Sequence, residues 1–428
     1  MKKKVLASLL VSAMAVSMLA GCGDGNTDSE TGAADTSATS GSTTTTDDSV
    51  ITIWVTENAV SVTEDLAEAF LEENELTDTY SVKVEPVGEG DAATNMITDV
   101  TAGADIYTFA QDQLSRLVAA GAIQELNDEM STWVAENNSA GTVTSVKVGD
   151  KTYAFPTTED NGYFLYYNKA VISDPTSWEA IIADCQANGM NAYVDLDSAW
   201  YNAGFFFATG CTCEFEYDDN GNCVGVTTDY ASANGVAAMK EMIALWESGV
   251  VVDSSSVGEA DAEHLGVIVD GNWDASAAQE ALGDNYAATK LPTFTVDGTT
   301  YQTNSFSGCK MTGVKPQSDA TKLAVCYALA QYLTNYDAQM ARFNDENLQW
   351  GPSNTQAQSE VSTEALEALI AQNEYSIPQG NYPGDWWSLA GALGGDIESG
   401  TITSASSDDD IMALLQTHDD TCATYVTE

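Results

Sequence analysis

Val50-Ile51-Thr52-Ile53-Trp54-Val55 opens the folded part of the chain, and it decides how the following residues are interpreted. Its alternating, β-branched composition predicts a strand. Residues 80–87 predict a second strand, and the apolar run 105–109 predicts a short buried one. Apolar residues at helical spacing predict helices over 61–74 and around 92–103. Strands that alternate with helices in this way predict an α/β fold with a parallel sheet and helices on its faces.

Polar residues follow each of the three predicted strands. The segments concerned are 56–58, 88–91 and 110–113. Ligands of open α/β sheets bind beyond the carboxyl ends of the strands. We therefore expect Glu57 and Asp91 to lie near a ligand, although both could instead be solvated loop carboxylates.

The beginning of the chain predicts export. Lys2–Lys4 precede an apolar run over 5–20, and small residues separate that run from Cys22. This arrangement is typical of a signal peptide over 1–21, and the run is shorter than the roughly 20 apolar residues that span a bilayer. Cys22 after Leu-Ala-Gly resembles the lipobox of bacterial lipoproteins, although an ordinary signal peptide with an incidental cysteine is the alternative. The resemblance implies acyl chains, such as palmitate, on Cys22.

Residues 22–49 predict a tether. From Gly23 to Ser49 the chain is almost entirely Ser, Thr, Gly, Ala, Asp and Asn. Such a segment buries too little apolar surface to offset its ordering entropy, so we expect disorder. A flexible spacer would hold the folded body away from the lipid headgroups. We expect a protein anchored at the outer face of the cell membrane of a Gram-positive bacterium.

Charge excludes one class of partner. The sequence has 14 Lys and Arg against 65 Asp and Glu, a net charge of −51. Phosphate backbones are bound by clustered basic residues, so nucleic acid is not an expected partner. The acidity favours solubility. Some of the carboxylates could also bind sugar hydroxyls, cations or amines.

The cysteines leave their pairing open. Apart from Cys22 they are Cys185, Cys211, Cys213, Cys223, Cys309, Cys326 and Cys422. Export permits disulfides, and Cys211 or Cys213 could pair with Cys223 across an apparent hairpin. Without a paired CxxC motif, and with two histidines in 428 residues, we expect no zinc site and no cofactor.

Enzyme motifs are missing from the sequence. It contains neither H-E-x-x-H nor G-x-S-x-G, and two histidines give a hydrolytic triad little to build on. Residues 216–222 resemble a calcium loop, but the twelfth position is Thr227 rather than a bidentate Glu. We expect an Asn-Gly hairpin turn there. A glycoside hydrolase using two carboxylates would leave no motif, so it stays an alternative.

Several segments resemble one family when they are taken in order. They are Thr52–Trp54, Gly103–Tyr107, Tyr153–Pro156, Leu165–Lys169, Pro175–Glu179, Asp270–Trp273 and Lys290–Pro292. Together they resemble family 1 extracellular solute-binding proteins of ABC importers, which include maltose-binding protein. The resemblance implies a two-lobed, periplasmic-binding-protein-like fold of the class II type, with a hinge and a ligand cleft between the lobes. It implies an N-terminal lobe of 50–157 plus 292–335 and a C-terminal lobe of 158–291 plus 336–428.

The resemblance also implies a set of ligand contacts. Sugar-stacking aromatic residues would be Phe109, Trp200, Trp273 and one of Trp386 and Trp387, since neighbours on a helix point in different directions. Pyranose C–H faces pack on aromatic planes, whereas carboxylates and amides bond the hydroxyls. The polar contacts would be Asp112, Glu159 and Asp160, with Gln113 at the position where the family has a basic residue.

Three hypotheses follow. The first is a monomeric binding protein that captures a carbohydrate, such as a maltodextrin, and delivers it to ABC permease subunits without acting as an enzyme. The second is the same scaffold binding a cationic solute such as a polyamine, which the acidity and aromatic residues would suit. The third is a surface glycoside hydrolase or adhesin.

Overall fold

The computed structural model describes residues 48–218, 221–254, 256–380 and 382–426. The predicted signal peptide, the lipidation site Cys22 and nearly all of the tether lie outside the described residues. Among the helices of this described part, none is both long and apolar enough to cross a bilayer.

Strands and helices alternate along the described chain. The strands are β1 (Val50–Val55), β2 (Ser81–Pro86), β3 (Ile106–Ala110), β4 (Lys147–Val148), β5 (Lys151–Thr152), β6 (Ala154–Pro156), β7 (Tyr163–Asn168), β8 (Asn191–Tyr193), β9 (Cys213–Tyr217), β10 (Cys223–Thr228), β11 (Val251–Val252), β12 (Leu265–Gly271), β13 (Tyr286–Thr289), β14 (Thr293–Val296), β15 (Thr299–Gln302), β16 (Ser305–Ser307), β17 (Lys310–Val314) and β18 (Ser376–Pro378). The α-helices are α1 (Val60–Glu73), α2 (Glu89–Thr98), α3 (Leu114–Ala119), α4 (Asp128–Asn137), α5 (Ala140–Ser145), α6 (Trp178–Asn188), α7 (Ala199–Thr209), α8 (Ala233–Glu247), α9 (Ala275–Leu282), α10 (Ala320–Leu333), α11 (Tyr336–Asn344), α12 (Thr355–Gln358), α13 (Glu364–Asn373), α14 (Gly384–Glu398) and α15 (Asp408–Ala423). Short 3₁₀ turns cover Glu57–Ala59, Gln111–Gln113, Asn272–Asp274 and Gly283–Asn285.

The first sheet has the strand order β2-β1-β3-β17-β6. β1 pairs in parallel with β2 and β3, whereas β17 runs antiparallel to β3 and β6. Along β1, the residues Ile51, Ile53 and Val55 are buried and alternate with half-buried ones, as the sequence predicted. The expected parallel sheet is therefore present over its first three strands, and the distant strand β17 extends it in the opposite direction.

Asp105, just before β3, connects β1 to the segment that follows β17 through hydrogen bonds. Its buried carboxylate accepts hydrogen bonds from the Thr52 backbone N–H at 3.0 Å and from Gln317 Nε2 at 2.7 Å. Lys322 Nζ at 3.1 Å and Lys315 Nζ at 3.4 Å complete its surroundings. A buried carboxylate with this many partners is stabilised in its charged form.

The second sheet has the order β11-β8-β12-β7-β13. The central strand β12 is parallel to β8 and antiparallel to β7, and all of its residues are buried. On β7, Leu165 packs in one hydrophobic cluster while Phe164 and Tyr166 pack in another. Side chains alternate across a strand, so this division means that both faces of the second sheet are covered.

Hydrophobic packing divides the chain into two units, one around each sheet. The chain passes between the units at 157–162, at 308–309 and a third time at 351–364. Phe294 and Phe306 pack in the core of the second sheet, although the resemblance placed them in the first lobe. Leu348 and Trp350 pack in the core of the first sheet, although the resemblance placed them in the second. The predicted boundaries at 292 and 336 are wrong for these residues, because their apolar side chains are buried in the opposite core.

The predicted hairpin is present as β9 and β10. Its register sets Cys213 opposite Thr228 and Cys223 opposite Tyr217, so the two cysteines lie at opposite ends of the hairpin. At about 3.4 Å per residue this separation exceeds the reach of a disulfide. The seven described cysteines are buried free thiols.

Candidate functional site

A cleft of about 950 Å³ lies between the two cores. One side is built from the segments that follow β1, β2 and β3, namely 56–58, 89–90 and 110–113, which bring Glu57, Glu89 and Asp112 to the wall. These strands are adjacent in the sheet, so their carboxyl ends meet at one edge. The sequence predicted this convergence.

Asp112, Gln113 and Arg116 form a connected polar group in this wall. Gln113 donates a hydrogen bond through its amide to the Asp112 carboxylate. Arg116 Nη1 donates to Gln113 Oε1 at 2.6 Å. The family's basic residue was expected at Gln113, and the structure supplies a guanidinium one helical turn later in the same cleft. The amide and the guanidinium thus act together beside the carboxylate.

The electrostatics of Asp112 are unusual for a carboxylate. Burial raises its pKa to about 7, against the lowering by hydrogen bonds and by the charge of Arg116. Within the described residues, Asp112 Oδ1 and Trp387 Nε1 are buried atoms without a hydrogen-bond partner. The Trp387 indole N–H is nevertheless close enough to lower the pKa of Asp112, so this donor and this acceptor lie beside each other in the cleft. A ligand hydroxyl placed between them would satisfy both.

Aromatic rings form the part of the cleft wall that adjoins Asp112 and Arg116. Trp200, near the start of α7, and Trp387, on α14, have ring centroids 6.2 Å apart. Phe306 stacks behind Trp200 at 5.1 Å and 18° between the ring planes. Trp386 is fully buried and supports Trp387 from a centroid distance of 5.0 Å. Of the two adjacent tryptophans, Trp387 therefore faces the cleft and Trp386 faces the core.

Trp273 lies in the turn after β12 and lines the cleft. Its indole ring folds back over Gly271, where an added Cβ would lie 2.2 Å from the ring. Lys310 Nζ lies 5.9 Å from the Trp273 ring centroid and 4.6 Å from that of Trp350. Gly271 is thus required for the position of Trp273, and the ring meets a lysine that belongs to the first sheet.

The structure brings together six of the eleven predicted ligand contacts. Lining the cleft are Glu57, Asp112, Gln113, Trp200, Trp273 and Trp387. As contacts to a ligand they remain predictions.

Five predicted residues do not line the cleft. Phe109 and Trp386 have no exposed surface, because both faces of β3 and the inner face of α14 are packed in cores. Asp91 is exposed in the first turn of α2, and its neighbours Glu89 and Gly90 reach the cleft instead.

The two acidic residues of the first crossover form hydrogen bonds with other segments of the protein. Asp160 Oδ2 accepts from the Gly351 backbone N–H at 2.5 Å and from Asn272 Nδ2 at 3.3 Å. Glu159 accepts from the side chain of Gln358. These carboxylates hold distant loops together, and neither residue lines the cleft.

Sequence reasoning missed several residues of the wall. Lys310 begins β17, Trp350 follows α11 in a loop, and Glu89 begins α2. Trp350 stands in a segment without helical or strand periodicity, so no local pattern predicted its place. Arg116 had a signal that could have been used, since it lies three residues after Gln113, one helical turn away.

One carboxylate cluster lies outside the cleft. Oxygens of Asp195, Asp197 and Asp253 lie within 4.8 Å of one another. Burial first, and then the charge of Asp253, raise the pKa of Asp195 to about 7. Two of the three residues are exposed, and we assign no ion to them.

Comparison with known families gives one match. Residues 65–371 match the model of the family described as bacterial extracellular solute-binding protein. That span is well over half of the chain. Among curated proteins, none is similar enough in sequence to count as a relative.

Solved structures share the overall fold. One that contains acarbose is 24% identical, with a TM-score of 0.75 over 88% of this chain and 98% of the other. The maltodextrin-binding protein MalE1 from L. casei BL23, solved without ligand, is 22% identical, with a TM-score of 0.71 over 89% and 99%. A cyclo/maltodextrin-binding protein complexed with maltotetraose is 19% identical, with a TM-score of 0.65 over 86% and 97%.

Proposed function

This chain belongs to the bacterial extracellular solute-binding proteins, and we propose that its solute is a carbohydrate, an oligosaccharide such as a maltodextrin. The observation that carries this proposal is the composition of the cleft. Trp200 and Trp387 lie side by side on one part of the wall, and Asp112, Gln113 and Arg116 form a polar network on the adjoining part. A pyranose offers an apolar face to the first part and hydroxyl groups to the second.

Energetics are consistent with capture at micromolar concentrations. Such an affinity requires about −8 kcal/mol. Hydrogen bonds to charged groups contribute roughly 1.5–3 kcal/mol each, and aromatic packing adds about 0.5–1.5 kcal/mol beyond the buried area. Asp112, Arg116 and Glu57 supply three of the former, and Trp200 and Trp273 two of the latter. These contributions sum to roughly 5.5–12 kcal/mol, a range that includes the requirement. Burial of the sugar's apolar surface adds to this sum, and immobilisation of the ligand subtracts from it.

The names of the structural neighbours support the same solute class. Two are named for maltodextrin binding, one of which holds maltotetraose, and another contains acarbose. At these identities the likeness itself shows the fold. The choice of sugar for this chain therefore depends on its own cleft residues.

Delivery and anchoring complete the proposal. We infer that the two units close on the solute by movement at the three crossovers, 157–162, 308–309 and 351–364, whose residues would absorb the backbone change. Acyl chains on Cys22 would hold the protein at the outer face of the membrane, close to the permease subunits of an ABC importer. Two or more chains would make that anchoring stable.

A cationic solute is the second candidate. Glu57, Glu89 and Asp112 in the cleft favour it, together with the tryptophans, because carboxylates and aromatic faces attract ammonium groups. Arg116 and Lys310 line the same cleft and would repel such a solute. The sugar is therefore the better supported candidate.

Calorimetry on protein lacking residues 1–49 tests the proposal. The ligands are maltooligosaccharides of increasing length, fragments of other plant glycans, and spermidine. We expect micromolar or tighter binding of at least one oligosaccharide and none of spermidine. Binding of spermidine alone would replace the proposal by the second candidate. Release of reducing sugar during the titration would indicate a glycoside hydrolase instead.

A further inference from the structure

Basic residues are scarce in this chain, and their placement is informative. The sequence has 14 Lys and Arg against 65 Asp and Glu, and three of the 14 are Lys2–Lys4. Yet Arg116 and Lys310 both line the cleft. The excess of acidic residues already keeps the protein soluble, so solubility does not explain why two basic residues lie in the cleft. Their position in the wall indicates that they have a ligand to contact.

Lys310 is held firmly in its place. It begins β17 directly after the second crossover, and its carbonyl oxygen accepts from the backbone N–H groups of Thr157 at 2.8 Å and Thr158 at 3.3 Å. Its own backbone N–H donates to Thr158 Oγ1 at 3.3 Å. The residue is 8% exposed, so its side chain runs along the wall of the cleft. Little ordering entropy would remain to be lost when a ligand binds.

The groups around its ammonium are incompletely bonded. Glu89 Oε1 lies 3.7 Å from Lys310 Nζ, which is beyond the usual 2.7–3.2 Å of an N–H···O hydrogen bond. Among the described residues this Glu89 oxygen and Trp350 Nε1 are buried atoms without a hydrogen-bond partner. Trp350 is 3% exposed and its ring lies 4.6 Å from Lys310 Nζ. The wall thus holds a donor, an acceptor and a second donor within one small area.

Unsatisfied buried groups of this kind select for a particular ligand chemistry. A hydroxyl group can accept from an ammonium and donate to a carboxylate at the same time. A neighbouring hydroxyl can accept from an indole N–H. A ligand carboxylate would be repelled by Glu89, and a ligand ammonium would be repelled by Lys310. The arrangement suits two adjacent hydroxyl groups on one uncharged ring.

We propose that Lys310, Glu89 and Trp350 form a subsite that binds an adjacent pair of hydroxyls on one sugar ring, beside Trp273, and that this subsite determines which sugar is accepted. The inference rests on the proposed carbohydrate function and extends it. It assigns specificity to residues of the first sheet and its loops, in addition to the tryptophan wall.

The test pairs protein variants with altered ligands. Calorimetry would use the oligosaccharide that wild type binds best, together with its monodeoxy analogues, each lacking one hydroxyl. Lys310→Met should weaken binding of the parent sugar at least tenfold. One analogue should bind equally to wild type and to Lys310→Met, because the hydroxyl that Lys310 contacts is already missing. Trp350→Phe, which removes the indole N–H and the rest of the five-membered ring, should behave likewise for the analogue lacking the adjacent hydroxyl.

Lys290→Met is the matched control. Lys290 Nζ also lies over an aromatic ring, 4.5 Å from Tyr375, but it does not line this cleft. The control removes the same charge and the same kind of contact, and its affinity should equal that of wild type. Thermal unfolding of each variant checks that it is folded. If Lys310→Met does not fold, the subsite is tested with Trp350→Phe.

Two results would overturn the subsite. One is an affinity of Lys310→Met within twofold of wild type for the parent sugar. The other is a loss of the same size for the parent and for every deoxy analogue, since independent effects add. In both cases wild type still binds sugar, so the proposed function survives. Failure of wild type to bind any glycan would remove the proposed function and the subsite together.

Discussion

Trp273 is the residue whose removal should reveal most about the cleft. Its ring is half-buried, lies on Gly271 and faces Lys310 across the space between the cores. We expect Trp273→Ala to weaken solute binding at least tenfold, because a stacking surface is lost while the core packing is left intact. Calorimetry measures the affinity, and the unfolding midpoint should change little.

Trp246→Ala provides the comparison for that variant. Trp246, on α8, packs against the core of the second sheet and does not line the cleft. Its truncation should lower the free energy of unfolding, because a partly buried apolar side chain is lost from that core, and should leave the affinity unchanged. Unchanged affinity in Trp273→Ala would remove Trp273 from the site.

Asp112 should make binding depend on pH. Burial raises its pKa to about 7, and a carboxylate accepts hydroxyl hydrogen bonds best in its charged form. Affinity should therefore fall as the pH is lowered from 8 to 6, by roughly tenfold if binding requires ionisation. Asp112→Asn should bind more weakly at pH 8 and should lose this pH dependence. A wild-type affinity that is constant from pH 6 to 8 would contradict the role of the charged form.

At the residue scale, what the sequence predicted depended on local position. Glu57 was predicted because it follows a strand whose end meets others at one edge, whereas Asp112 and Gln113 were predicted from the family resemblance, and all three line the cleft. Phe109 has a similar local position but points into the core, since β3 is covered on both faces. Trp350 was missed because its contact with Lys310 joins distant segments. Which face of a buried strand is covered, and which distant loop meets it, are tertiary properties that no local pattern contains.

Individual elements followed the local rules where these were strong. β1 has the predicted bounds, and α1 covers Val60–Glu73 where 61–74 was expected. The helix expected around 92–103 instead spans Glu89–Thr98, because Asp99 ends it and accepts from the backbone of Thr101 at 3.0 Å. Element bounds are set by such single side chains at the ends. The lobe boundaries were less predictable, since they depend on the core in which Phe294 is buried.

The β9–β10 hairpin joins the two units at the edge of the cleft. β9 contributes Cys213 to the second core, whereas α3 contributes Leu114 to the first. Gly221, beside the hairpin turn, has a φ of 79°, and an added Cβ would lie 2.4 Å from Ser115 O on α3. A side chain at this position would push the hairpin and the helix apart.

Gly221→Ala should therefore weaken solute binding several-fold. The loss follows because the variant disfavours the arrangement in which the hairpin contacts α3. Gly298→Ala is the control, since Gly298 has a φ of 83° and no atom within 4 Å of an added Cβ. Both variants should lose roughly 1 kcal/mol of stability from the left-handed conformation. Equal affinities of the two variants in calorimetry would show that the contact between hairpin and helix does not matter for binding.

Over the whole molecule, several carboxyl groups that are at least partly buried make the stability of the fold depend on pH. Burial is the main cause that raises the pKa of Asp112, Asp195 and Glu398 to about 7 each. A carboxyl whose pKa is higher in the folded state stabilises the fold below its unfolded pKa, and this contribution is lost as the pH rises through the folded pKa. Self-repulsion at a net charge of −51 grows in the same direction.

Asp105 has the opposite effect on the pH dependence of stability, and its effect appears at lower pH. The pKa of Asp105 is lowered, since burial is outweighed by the hydrogen bonds from Thr52 and Gln317 and by the charges of Lys315 and Lys322. Its contribution is present above the unfolded pKa and is lost as the pH falls below about 4. The two groups together predict maximal stability near pH 5, with a decline toward pH 8.

Glu241 on α8 allows this prediction to be tested at one position. Burial, reinforced by the charge of Glu179, raises its pKa to about 8, and the residue is 7% exposed. Glu241→Gln replaces the neutral form of the carboxyl with a neutral amide. The variant should match wild type in thermal unfolding at pH 5 and should unfold a few degrees higher than wild type at pH 8. Glu68→Gln, at an exposed position on α1, makes the same change in net charge and should give only the smaller gain from reduced self-repulsion. If the unfolding temperatures of the two variants rise equally at pH 8, the loss of stability with rising pH is caused by repulsion between surface charges and not by the burial of Glu241.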